Sequence, residues 1–368
     1  MHILIVFSNI ENSLAFYWMA EGFAKQKHRF TYVFMHPHKP ALATKIEALG
    51  NDVIHINYNG KKDVPKVTWQ LYGLFKNLRP DVMHAHLFDA SICAITAAWL
   101  ARIKKRVYTR HHSDFHHISF KQAVKYDKWI NGRATHIIAI SESVKDILIH
   151  LEHAKPHKIH LVHHGFRLDE LMAASTDSIA LLNQKYNPNK KHPVIGVIAR
   201  YTYWKGIQYI IPAFERLLKQ YPDALLLMAN ATGSYTTAID DLLKKLPESS
   251  WRKITFEPNI AALYKLFDVF VHVPISKPVE AFGQVYIEAL AAGIPSVFTN
   301  SGIAPEFIKH GKHAFVVDFC NSHNILEGML YLLKNNSNQT MIEDGKQAVG
   351  AMFHIDTMIK KLIQVYEQ

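Results

Sequence analysis

The stretch PVIGVIARYTYWKGIQYIIPAFERLLKQY, Pro193 to Tyr221, decides the fold. Val194 to Ala199 is a short apolar run, fit for a strand covered on both faces. A polar turn ending at Lys205-Gly206 follows, and then Ile210, Ile211, Phe214, Leu217 and Leu218 recur at helical spacing. Strand, turn and amphipathic helix in that order make half of a βαβ unit. Such units assemble into parallel sheets with helices on both faces.

The alternation extends both ways. Downstream, DALLLMAN, KITFEP, DVFVHVP and IPSVFTN read as strands; NIAALYKLF, GQVYIEALAAG and ILEGMLYLLKN read as helices. Upstream, HILIVF, RFTYVFM, DVIHI, DVMHAH, KRVYTRHH, ATHIIAIS and KIHLVHHG read as strands. SLAFYWMAEGFAKQKH, WQLYGLFKNLRP and ASICAITAAWLARI read as helices between them. Between the two series lies LDELMAASTDSIALLNQKYNPNKKH, polar and ending in Pro, Asn and Lys, which reads as an irregular linker or domain edge. The expectation is an α/β chain of two doubly wound domains, residues 1–170 and 171–351, with a C-terminal helix 352–368 returning to the first.

Composition narrows the setting. The 368 residues are enough for two cores. Two cysteines, Cys93 and Cys320, make no disulfide framework and fit a reducing compartment. MHILIVFSNI has no basic leader, and the apolar run Ile92 to Ala101 is too short to span a bilayer. A cytoplasmic protein is expected. Residues 1–180 carry 23 Lys and Arg against 15 Asp and Glu, and 18 of the 24 histidines. This half is the one suited to an anionic partner such as lipid headgroups, or it carries only a solubilising charge. Standard nucleic-acid motifs are absent, so no nucleic-acid partner is expected.

The chemistry gathers at two places in the second half. Arg200 follows the strand that ends near Ala199, and Lys205-Gly206 opens the next helix, so two cations stand where an α/β sheet binds anions. In KPVEAFGQVYIEALAAGIPSV, Lys277 to Val297, Glu280 precedes a helix start and Glu288 lies over a turn inside it. Gly283 allows close backbone approach, and the helix start offers free N–H groups to a diphosphate. An anion site flanked by two carboxylates fits a nucleotide sugar, with one carboxylate for ribose and the other for the sugar.

These residues carry a resemblance. EAFGQVYIEALAAGIPSV resembles the Glu-x7-Glu signature of retaining glycosyltransferases of family 4, whose GT-B fold sets two Rossmann-like domains face to face across a cleft. ARYTYWKG is similar to the family's Arg-x4-Lys-Gly, DVMHAH to its first-domain His segment and VYTRHH to its Thr-x-His strand end. IAISESVKDIL, HHGFRLDEL and APEFIKHGKHAFVV match further blocks in the usual order, so the likeness spans nearly the whole chain. It implies that Arg200 and Lys205 hold the donor diphosphate and Glu288 the ribose. Glu280, with the backbone at Phe282, Gly283 and Gln284, would hold the donor sugar. His111 would be the active-site histidine, with His112 as the alternative. His86 would line the cleft or serve structure. Three departures stand out: FSNIENSLAFYWM lacks the family's glycine pair, Asn230 replaces a glycine after a central strand, and FEP replaces Phe-x-Gly.

YTRHHSDFHH also invites a metal reading, but neighbouring strand side chains point to opposite faces and no compact ligand spacing emerges. No metal and no cofactor are expected. Lys121, Lys125 and Lys128 form one stripe of a helix in SFKQAVKYDKWINGRA, near Phe120 and Trp129; this is a lipid-facing or a simply solvated face. The expected activity is retaining transfer of a sugar from a nucleotide-diphosphate sugar to a hydroxyl of a glycan or lipid-linked glycan. Lipopolysaccharide, capsule or other surface polysaccharide synthesis is the setting, with a peripheral place on the cytoplasmic face of the membrane. The rivals are an inactive glycan- or membrane-binding module, or another GT-B enzyme such as an epimerase or phosphorylase. A dehydrogenase is disfavoured, because no G-x-G-x-x-G follows the first strand.

Overall fold

The structure, a computed structural model, describes residues 1–334 and 338–368. Two parallel sheets organise it. The first contains His2–Ser8 (β1), Arg29–His36 (β2), Asp52–Asn57 (β3), Val82–His86 (β4), Lys105–Arg110 (β5), His136–Ala139 (β6) and Ile159–Leu161 (β7), in the order β3-β2-β1-β4-β5-β6-β7. The second contains Val194–Ile198 (β8), Leu225–Ala229 (β9), Trp251–Ile254 (β10), Val269–His272 (β11), Ser296–Phe298 (β12) and Phe315–Val316 (β13), in the order β10-β9-β8-β11-β12-β13. Every strand pairing is parallel. Both sheets are doubly wound: the chain leaves the central strand toward one edge, returns, and then builds toward the other. Ile3 to Phe7 in β1 and Val194 to Ile198 in β8 are buried throughout, as strands covered on both faces must be.

The chain divides into Met1–Phe166 with Phe353–Gln368, and Arg167–Met352. The segment read as an irregular linker is instead partly helical, at Leu168–Leu171 and Thr176–Tyr186. Ser175 caps the longer helix by accepting from the Ser178 amide, but only Leu182 is buried on it, so hydrophobic periodicity had little to display. Tyr186 Oη donates to Glu257 Oε2 at 2.7 Å and fastens that helix to the second unit. A short helix at Ala41–Glu47 also lacked a legible pattern. The helix expected across SFKQAVKYDKWINGRA begins only at Val124, behind a 3-10 turn at Lys121–Ala123. ILEGMLYLLKN lies within the helix Ser322–Lys334, and its last expected residue, Asn335, is outside the described residues. Among the described residues no helix is long and apolar enough to cross a membrane.

The C-terminal helix Ile355–Glu367 buries Ile355, Met358, Ile359, Leu362, Val365 and Tyr366. The Phe166 amide donates to Phe353 O and the Ile355 amide to Phe166 O, at 2.8 and 3.1 Å, so the returning chain lies directly on the end of the first unit. Gly165 permits that approach: a Cβ there would come within 2.7 Å of Ile355 Cα. Gly165→Ala should therefore cost about 1–3 kcal/mol. Gly73, inside the helix Val64–Leu78, faces open space, and Gly73→Ala should stabilise by roughly 0.5–1 kcal/mol. Urea unfolding of both variants checks the opposite signs.

Candidate active site

In the second unit, β8 and β11 are adjacent, and the chain leaves them toward opposite edges of the sheet. A crevice at their C-terminal ends follows from that divergence. Lys205 arrives there through a 3-10 turn, Tyr203–Lys205. Gly206 closes the turn at φ +74°, where a Cβ would lie 1.9 Å from Val273 O, so only glycine fits. Glu280 arrives in the loop after β11, and Lys205 Nζ donates to its Oε1. The buried His272 lies 3.4 Å from the same oxygen. Burial pushes the Glu280 carboxyl up, but the Lys205 ammonium and His272 outweigh it, and it sits at about 2. Burial holds the His272 imidazole below its ordinary value against the pull of Glu280.

The loop that carries Glu280 is clamped by residues 299–303. Thr299 Oγ1 donates to Pro274 O at 2.8 Å, and Ser301 Oγ to Ser276 O at 2.7 Å. The amides of Gly302 and Ile303 donate to Lys277 O and Phe282 O at 3.0 and 2.9 Å. Gly283, at φ +88°, opens the helix Gln284–Ala292, whose first turn has no side-chain cap. Within it Glu288 is buried and accepts from Tyr264 Oη at 2.9 Å and Gln284 Nε2 at 2.7 Å. Burial raises the Glu288 carboxyl, against those two donors. The two glutamates are thus pushed in opposite directions. Phe282 is buried and Gln284 exposed. Arg200 is exposed beyond the end of β8, and its guanidinium has no side-chain partner among the described residues.

The first unit gathers histidines at the same edge of its own sheet. His84 and His86 both point to one side of β4, their rings 4.2 Å apart. His84 is satisfied twice, by Tyr366 Oη at 2.6 Å and Thr109 Oγ1 at 2.8 Å, which gives it a structural place. His86 Nδ1 lies 3.2 Å from His111 Nε2, and His111 stacks on His164 with ring centroids 5.4 Å apart. Phe16, in the first turn of the helix Leu14–Ala24 that follows β1, packs edge-on against both His86 and His111. Burial holds His86 and His111 well below the ordinary imidazole value, with their neighbouring histidines adding to the shift. One of two neutral rings must then donate to the other. His86 Nε2 is buried without a partner among the described residues. A bare lone pair there is less costly than an orphaned N–H, so His86 donates from Nδ1 and His111 carries its own proton on Nδ1.

His112 goes the other way. Its Nε2 lies 3.5 Å from Asp127 Oδ1, and its ring packs 3.9 Å from that of His116. Burial first, then Arg110 and His116, bring His112 down to about 2. Asp127 accepts from Arg110 at 2.7 Å and pairs with His116 Nδ1 at 2.7 Å. Glu152 accepts from Arg110 and, at 2.7 Å, from Asn131 Nδ2. The sequence showed no compact ligand spacing, yet His112, His116 and Asp127 bring ligand atoms within 4.8 Å of one another. The helix Phe115–Ser119 turns His116 back, and Asp127 enters from the following helix. Arg110 already occupies Asp127 Oδ1. Exposed Glu11 and His38 form a second such group with His36.

Residues 178–348 match the family Glycosyl transferases group 1, and residues 16–170 match Glycosyltransferase Family 4. The chain belongs to this glycosyltransferase family. It is 25% identical to the capsular polysaccharide biosynthesis glycosyltransferase CapM of Staphylococcus aureus, over 88% of this chain and 87% of that one. Its fold is GT-B. It superposes with a TM-score of 0.81 on Anabaena HepE in complex with UDP, at 19% identity and full coverage of both chains. A Rickettsia africae glycosyltransferase gives 0.82 at 20% identity, covering all of this chain and 97% of that one.

Several supports of this glycosyltransferase's candidate site had no sequence signal. His272 beside Glu280, Tyr264 beside Glu288 and the Thr299–Ile303 clamp are ordinary residues until the fold brings them in. Asp127, Glu152, His164 and Tyr366 behind the first-domain histidines are the same.

The Lys205–Glu280 pair should show as coupling in a double-mutant cycle. Lys205→Met, which strands the buried Glu280 carboxylate, should destabilise the second domain by about 3–5 kcal/mol, and Glu280→Gln, which leaves the half-buried Lys205 ammonium, by less. The double variant should cost less than the sum, whereas strict additivity by urea unfolding would deny the pair. The histidines give a pH prediction. His84, His86, His111 and His164 are all held below the imidazole's ordinary value by burial. The unfolded chain therefore binds their protons first on acidification. Their contribution is full above pH ~6.5 and is lost as pH falls toward the folded values, at up to ~1.4 kcal/mol per pH unit for each group. His84→Gln should reduce the slope of first-domain stability between about pH 6.5 and 4 by one group's share.

Proposed function

We propose that this glycosyltransferase is retaining and metal-independent. It moves a sugar from a nucleoside-diphosphate sugar to a hydroxyl of a glycan or lipid-linked glycan, in bacterial-type capsule, lipopolysaccharide or other surface polysaccharide synthesis. It works at the cytoplasmic face of the membrane. The observation that carries the reading is the pair of buried glutamates eight residues apart, Glu280 held by Lys205 and Glu288 by Tyr264 and Gln284. The uncapped start of the helix Gln284–Ala292 lies between them in sequence and offers amide donors to a diphosphate.

Arg200 supplies a free fork for phosphate oxygens, and Lys205 keeps two further protons to donate while it holds Glu280. Glu288 takes the ribose hydroxyls. Glu280, with the backbone at Phe282, Gly283 and Gln284, takes the donor sugar and favours positive charge developing at its anomeric carbon. His111, with an N–H to give, acts as a donor rather than as a base; His86 positions it. The bond from the anomeric carbon to the diphosphate breaks as the acceptor oxygen bonds on the same face. The acceptor proton passes to the departing phosphate oxygen. Support for this reading comes from the family's relatives and from UDP in HepE, which is bound by that protein.

Steady-state kinetics with a nucleotide-sugar screen test the assignment. Glu288→Gln should mainly raise the donor KM, since ribose barely changes during reaction. Glu280→Gln should lower kcat more than it raises KM. Arg200→Ala should weaken nucleoside-diphosphate binding about tenfold or more. Activity should survive EDTA, and NMR of the product should show the donor's anomeric configuration. Loss of activity restored by manganese would sink metal independence. Loss of bare nucleotide binding in Glu280→Gln alone would reverse the two glutamates.

A further inference from the structure

Residues 113–133 of the first domain turn an unusual surface outward. Ile118 is 62% exposed and Phe120 56%, and Phe115, Tyr126 and Trp129 are exposed beside them. The buried side of this segment is filled by His116, Asp127, Ile130 and Asn131, so the apolar side chains have no core to enter. A cavity of about 720 Å³ adjoins them, walled by Ile92, Ile118, Phe120 and Tyr126 and rimmed by Lys61 and Lys121. Lys121, Lys125 and Lys128 are exposed along the same segment. The charge is one-sided: residues 90–141 hold nine Lys and Arg against two Asp, Asp114 and Asp127, both buried, and Asp89 is the one carboxylate in the cavity wall, against Lys61, Lys121 and Lys125. Trp129 is steadied by Arg133, 3.0 Å over its ring, and by its Nε1 donating to Thr96 Oγ1 at 3.1 Å.

We infer that this face docks on an anionic lipid bilayer, with Ile118 and Phe120 entering the headgroup boundary and Lys121, Lys125 and Lys128 meeting lipid phosphates. The inference deepens the proposed function by naming the lipid charge and the residues that read it, and it rests on that reading only for its setting. Aliphatic and aromatic side chains at the summit, a Trp and a Tyr at the shoulder and lysines around them are what an interfacial segment needs. A single-stranded nucleic acid would want ring faces free to stack, whereas the most exposed side chain here is an isoleucine.

Sedimentation of the full chain with phosphatidylcholine vesicles carrying rising phosphatidylglycerol tests this without donor or acceptor. Binding should rise with phosphatidylglycerol and fall with salt. Ile118→Ser with Phe120→Ser, which keeps the charge, should weaken it about tenfold or more. Lys121→Gln with Lys125→Gln and Lys128→Gln should remove most of the dependence on phosphatidylglycerol. Lys219→Gln with Lys244→Gln and Lys312→Gln, equal in charge but on the second domain, should leave binding unchanged. The inference is overturned by absence of vesicle binding, by equal loss in the second-domain control, by serine variants that bind as well as the parent, or by a face that prefers oligonucleotide to vesicles. Donor turnover on a water-soluble acceptor, measured separately, should persist in the serine variants. Failed turnover with intact vesicle binding would count against the transferase reading and leave the docking face standing.

Discussion

Glu280 is buried and ionised, and it stays so because Lys205 stands against it. Without that ammonium, desolvation would drive the carboxyl toward its neutral form. Much of the second domain's local geometry serves this one contact. The strand order brings β8 and β11 together and sends their loops apart, and Gly206 lets the Lys205 turn press onto Val273. Gly302, at φ +59°, leaves no room for a side chain between Phe282 O and Glu280 Cβ. The charge is thus fixed before any ligand arrives, and a fixed charge in a shielded place acts more strongly than a mobile one in water. In the proposed reaction a diphosphate must share Lys205 with Glu280, which ties phosphate binding to the position of the carboxylate facing the sugar.

The first domain solves the equivalent edge differently. Its central strands end in imidazoles kept neutral by burial and by one another, not in a charge pair. A neutral ring such as His111 can offer a donor without adding charge to that edge. The real charges lie behind, where Arg110 pairs with Asp127 and Glu152. That group carries two carboxylates for one guanidinium, which gives His116 and His117 their role as further partners, at 2.7 and 3.3 Å. His112, adjacent in sequence to His111, belongs to this buried network. A one-residue step along the chain therefore separates the ring that faces His86 from the ring that faces Asp127 and His116.

The strands were legible because they are continuous apolar runs, and parallel sheets demand such runs. Helices with a broad apolar stripe, such as Ile207–Leu217, were legible for the same reason. Thr176–Tyr186 was not, because a helix that buries one leucine and anchors through Tyr186 looks polar from end to end. In the candidate site, Arg200, Lys205, Glu280 and Glu288 could be singled out by spacing, because they lie on two short motifs. Their partners could not. Tyr264 and His272 reach the glutamates only through strand order and helix packing, and no local pattern encodes that. The histidine loop misled in a specific way. Strand alternation argued against clustered ligands, but the chain stops being a strand at Arg110, and the helical turn after it overrules the alternation.

The departures from the family pattern take two different places in this structure. Asn230, in the place of a glycine, has φ +57°, a left-handed conformation that asparagine tolerates better than most residues. In the turn after β9, Gly233 passes so close to Tyr201 O that a Cβ would stand 2.2 Å away. What changes is chemical, since an amide now projects where a hydrogen would be. Glu257 in FEP is different in kind. It accepts from Tyr186 Oη and from the Asn259 amide, at 2.7 and 3.0 Å, so its carboxylate closes the loop after β10 onto the helix that opens the domain. Burial raises that carboxyl, yet its donors bring it below its ordinary value, which makes it a structural anion already satisfied from within. Of these two residues, then, Glu257 is taken up by the protein's own donors, and Asn230 is the one that adds a polar group at the C-terminal edge of the sheet.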